Sequence, residues 1–146
     1  MKMWMKVALV TLACAVPAAA LGNVIWPPAV GGPEPTSGQL PFFIVLEIIT
    51  SITFGLGVAF LLFGFPMTNR AASGSRLFAW AMYLSVGWML VSWWPHQHLH
   101  ISNGENLQGL IYIEYAFHVT LMFAGIALAV CFVALVREMG RQPAIR

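Results

Sequence analysis

The chain has 146 residues, of which 60% are hydrophobic and 8% charged, with a mean hydropathy of +0.80. So little charge cannot cover a water-facing surface, which excludes an ordinary soluble domain and makes lipid the environment of most of the chain. The net charge of +2 comes from seven Lys and Arg against five Asp and Glu. These basic residues form no strip that could follow a phosphate backbone, so nucleic acid is excluded as a partner.

The length suits a single integral membrane domain over residues 1–146 and leaves no room for a separate soluble domain of usual size. Apolar stretches long enough to cross about 30 Å of hydrocarbon occur repeatedly. The expected fold class is therefore all-α, a small polytopic transmembrane helical bundle.

The first stretch, residues 7–26, has two readings. Lys2 and Lys6, an apolar core and the small triplet Ala18, Ala19 and Ala20 are the parts of a signal peptide cleaved before Leu21. The same residues serve equally as a first membrane helix, kinked at Pro17 and ending at an interfacial Trp26. Retention gives four antiparallel helices and cleavage gives three. PPAVGGPEPTSGQLP follows, a loop rich in Pro and Gly without Lys or Arg.

A second helix is expected over residues 41–65, with Pro41 suited to its first turn. The linker beyond it carries Arg70 and Arg76 at its margins. The third helix, residues 76–94, finishes in Trp88, Trp93 and Trp94 as an interfacial aromatic band, and Pro95 ends it. The stretch PHQHLHISNGENLQG then leads to a fourth helix, residues 109–136, which runs into Arg137, Glu138 and Arg141. Counting Lys and Arg alone, the amino end, the middle linker and the carboxyl tail are basic, and the loops at 27–41 and 95–108 have none. The positive-inside rule then puts both loops outside and the C-terminus in the cytoplasm, with a bacterial inner (plasma) membrane as the expected location.

This topology collects the chain's ionisable membrane groups at one depth. Glu47 lies about two turns below the outer start of the second helix. Glu114 lies a little over one turn below the start of the fourth, and His118 follows it four residues later on the same face. His96, His98 and His100 occupy the adjoining segment. An ionisable group facing lipid is expensive, so these six should turn inward and find partners.

Imidazole and carboxylate together suit Zn, Fe or Cu, and Glu114 and His118 at i, i+4 can offer two ligands to one cofactor ion. The candidate metal residues are thus His96, His98, His100, Glu114, His118 and Glu47. An extended segment would project all three closely spaced histidines to one side, whereas a helical turn would align only His96 and His100. Neither a Glu-x-x-His pair nor a His-Glu-x-x-His motif is present. A salt-bridged structural network, heme held by His118 and a loop histidine, and a quinone pocket are the competing readings.

Other features point to packing. Thr50 and Ser51, one turn beyond Glu47, can support it or satisfy their own helix carbonyls. Gly55, Gly57, Gly87 and Gly125 suit close helix approach, and Met82, Met89 and Met122 suit core filling. Cys14 and Cys131 lie within apolar stretches and form no thiolate motif. The later spans contain no lysine for a retinal Schiff base, and the chain has no Cys-x-x-Cys-His, phosphate loop or serine elbow.

The leading functional expectation is a small membrane subunit that holds or completes a metal or redox-cofactor site at the outer face. That role is accessory, or cofactor binding, rather than that of a self-sufficient enzyme. A cofactor-free structural or assembly subunit and an oligomeric small transporter or channel are the alternatives. The expected partners are the lipid bilayer and a membrane protein or a second copy of the chain.

Overall fold

The computed structural model of the protein describes residues 1–32, 34–72 and 75–141. Pro33 of the first loop, Ser73 and Gly74 of the middle linker, the side chains of residues 138–141 and the tail 142–146 lie outside that description. All the regular secondary structure among the described residues is helical: α1 Met3–Ile25, α2 Leu40–Phe63, α3 Phe65–Ala71, α4 Arg76–Val91, α5 Trp93–Asn103, α6 Leu107–Ile113, a π-helical turn Glu114–Val119, and α7 Thr120–Arg141.

Three helical stretches are long and apolar enough to cross a bilayer: α1 with 23 residues, α2 with 24, and the continuous run Leu107–Arg137 with 31. The fourth is broken. At 16 residues, α4 spans only about 24 Å at 1.5 Å per residue, short of the hydrocarbon thickness. α5 continues from it with a bend of 40°. The break follows from Pro95, which lacks an N–H and whose ring clashes with the carbonyl four residues back, at Val91. Pro95 nevertheless sits in the first turn of α5, where no intrahelical donor is required. The proline therefore interrupts the ladder without ending helical structure, and the histidine stretch is a helix, not a loop. Gly104, at φ +57°, closes α5.

The principal contacts run in a row, α1 on α2, α2 on α4 and α4 on α7, with α3 against α4. Neighbours are antiparallel. This is an all-α bundle of three to four long apolar helices, an integral membrane architecture. Its broad outer faces carry Ile44, Ile48, Phe123, Ile126 and Phe132, all exposed as lipid-facing residues must be.

With no hydrophobic drive between helices inside lipid, small residues set the packing. α1 buries Ala15, Ala18 and Gly22, and α2 buries Ser51, Gly55 and Ala59. A Cβ placed at Gly55 would overlap the backbone at Thr11 and Ala15, so any larger residue would push α1 from α2. Gly57 meets Leu90 and Val91, and Gly87 meets Leu61, so both lie between α2 and α4. Gly125 faces open space and takes no part in packing. Met122 is likewise 61% exposed, on a lipid-facing part of α7 and not in the core, whereas Met82 and Met89 are half-buried. Cys14 and Cys131 are free, Cys131 buried and Cys14 half-buried.

Candidate metal centre

α5 organises the polar layer. At 3.6 residues per turn, His96 and His100 fall on one face, and His98 points about 200° away from His96. The six candidate groups are accordingly divided into two clusters on opposite sides of this short helix.

On one side lie Glu47 and His98. His98 Nε2 is 3.3 Å from both carboxylate oxygens of Glu47. Ser51 Oγ donates to Glu47 Oε1 at 3.0 Å, and Gln97 Nε2 donates to Glu47 Oε2 at 3.1 Å. Thr50 Oγ1 reaches its own helix carbonyls at Leu46 and Glu47 and also donates to Gln97 Oε1 at 3.1 Å. A carboxylate only accepts, so the imidazole proton belongs on Nε2. His98 is 2% exposed. Its Nδ1 has no hydrogen-bond partner, which is tolerable for a bare lone pair and costly for an N–H. Trp26 stacks on the ring at 6.0 Å, and Trp94 meets it edge-on at 5.1 Å. A Cβ at Gly22 would overlap the imidazole Cε1 and Nε2, so α1 covers His98 only because residue 22 has no side chain.

On the other side, His96, His100 and Glu114 converge. Each offers one ligand atom, and these atoms all lie within 4.8 Å of one another. His100 Nε2 is 2.9 Å from His96 Nε2 and 3.5 Å from Glu114 Oε1. Two ring nitrogens directed at one another can share a single proton, and a cation bound to both lone pairs satisfies them equally. Donors about 2.1 Å from one ion lie roughly 3.0–3.4 Å apart, close to the two separations that His100 makes with His96 and Glu114. His118 meets Glu114 through Nδ1 and Oε2, the carboxylate oxygen turned away from His100. The Glu114 carboxylate thus lies between His100 and His118, one at each oxygen. Among the described residues no Lys or Arg pairs with Glu47 or Glu114, and the groups within ion-pair distance of them are imidazoles.

The backbone holding Glu114 and His118 is a single π turn, a form common at functional sites. It is tied to α4 by Trp88 Nε1, which donates to Thr120 Oγ1 at 2.9 Å. Phe117 of the same turn stacks on Trp88 at 5.9 Å and meets the His96 ring at 5.3 Å, and Trp93 meets His96 edge-on at 6.0 Å. The cluster therefore has an aromatic wall on one side. All three ligand residues are half-buried.

The structure thus brings together His96, His100 and Glu114, places His118 behind Glu114, and puts Glu47 and His98 in a separate network. Sequence reasoning passed over Gln97 and Gly22 and gave Trp26 an interfacial role, whereas it stacks on His98. Drawing 93–103 as a helix would have put Gln97 off the His96/His100 face, but nothing local marks Gly22 or Trp26, which act across 76 and 72 residues of sequence from His98 on the evidence of contact alone. No family model matches the chain, and no curated protein or solved structure matches it.

Proposed function

We propose that the protein is a small integral membrane subunit that holds a divalent transition metal, Zn, Fe or Cu, through His96, His100 and Glu114, with His118 orienting the carboxylate. The convergence of three donor atoms from two helices carries this reading. Two imidazoles and one carboxylate form a borderline donor set that suits these metals better than Mg or Ca, which prefer oxygen alone. The His118–Glu114 contact is the kind of outer partner that fixes a ligand's orientation.

The role is accessory, within a membrane assembly formed with a partner protein or further copies of the chain. The charge pattern supports an outer-face position in a bacterial inner membrane, since Lys2, Lys6, Arg70, Arg76 and Arg137 all lie toward the end opposite the histidines. Metal analysis of the purified protein beside His100→Ala and Glu114→Ala tests the site. About one ion per chain in the parent and a large loss in both variants is expected, and equal content in all three refutes it. Labelling a cysteine placed at Ser102 with a membrane-impermeant maleimide in intact cells tests the orientation, and protection until lysis would reverse it.

The Glu47–His98 network favours a second role for that half of the layer. Its donors are matched to the carboxylate and its histidine is sealed by α1, as in a structural tie between α1, α2 and α5.

A further inference from the structure

We infer that a metal held by His96, His100 and Glu114 keeps open coordination positions and takes a small exogenous donor there, preferably an anion. The inference rests on the metal reading proposed above and adds what the ion would bind.

The ligand count comes first. Of the six candidate groups, Glu47 of α2 and His98 of α5 are bonded to each other on the other face of α5 from His96 and His100. His118 is engaged with Oε2 of Glu114, while Oε1 faces His100. Among the described residues no fourth His, Cys, Asp or Glu joins the group of three. Divalent transition ions bind four to six donors, and closed structural zinc sites draw all four from protein. Two histidines and one carboxylate with positions left over is instead the donor set of sites that exchange ligands.

The surroundings determine where and what. Phe117 and Trp93 pack against His96 and cannot donate to a metal, while the His118 ring, 4.7 Å from His96, is tied through Nδ1 to Glu114. The cluster is not sealed, because the side chains of His100 and Glu114 remain 34% and 40% exposed. A dication with two neutral imidazoles and one carboxylate retains one positive charge, and no Lys or Arg is paired there to compete for an anion. Water would satisfy the vacant positions by default, and a small anion displacing that water would neutralise the remaining positive charge.

Cobalt and azide test this directly. The full-length protein in detergent is loaded with Co(II), its visible ligand-field spectrum is recorded, and azide is titrated against the protein and against detergent-solubilised Co(II) alone. A saturable spectral change at one azide per bound cobalt, absent from the control, is expected. Stoichiometric cobalt binding with no azide response overturns the open position and leaves the metal site standing. A response that arises only in His118→Ala also overturns it, because His118 would then be filling the fourth position. Failure of the parent to bind cobalt removes the metal reading and this inference together.

Discussion

Removing the Glu47 carboxylate tests whether the tie between α1, α2 and α5 stabilises the fold. Glu47 accepts from Ser51 Oγ at 3.0 Å, Gln97 Nε2 at 3.1 Å and His98 Nε2 at 3.3 Å. In Glu47→Ala, Ser51 can turn to a carbonyl of its own helix and recover most of its loss. Gln97 is half-buried and keeps its bond from Thr50. His98 has no such recourse, being 2% exposed between Trp26 and Trp94. An unpaired buried donor costs about 1–3 kcal/mol, and side-chain hydrogen bonds inside membranes average about 0.6 kcal/mol each. The expected loss is therefore about 2–4 kcal/mol, read from denaturant unfolding in detergent. Glu47→Leu combined with His98→Leu removes acceptor and donor together and should recover part of that loss. A Glu47→Ala protein within about 0.5 kcal/mol of the parent would refute the reasoning, since surface substitutions of no structural consequence fall in that range.

Gly22→Val should lower the thermal midpoint, because its Cβ overlaps the His98 ring and overpacking costs about 1–3 kcal/mol; an unchanged midpoint would mean that α1 does not cover His98. Deleting residues 1–20 removes the face of α1 that Gly55 receives, so the shortened chain should unfold at lower temperature in detergent, and equal stability would deny α1 a place in the bundle. Metal affinity should fall on acidification, because protons compete with the metal for the lone pairs of His96 and His100. A cobalt affinity that does not change between about pH 8 and about pH 5 would remove histidine from the ligand set.

Much of this architecture is written locally. Composition demands lipid, and a chain in lipid must satisfy its backbone internally, so long apolar runs become helices whatever their neighbours. The i, i+4 spacing of Glu114 and His118, and of His96 and His100, also follows from sequence once helix is assumed. Tertiary structure decided the remainder. Pro95 could end a helix or begin one, and only the docking of α5 against α2 selects the second. That choice turns His98 away from His96 and His100 and divides a single polar layer into two clusters with different partners. Which oxygen of Glu114 meets which histidine, and which glycine admits an imidazole, depend on separations between helices. Those distances are set by side chains far apart in the chain, so no local pattern encodes them.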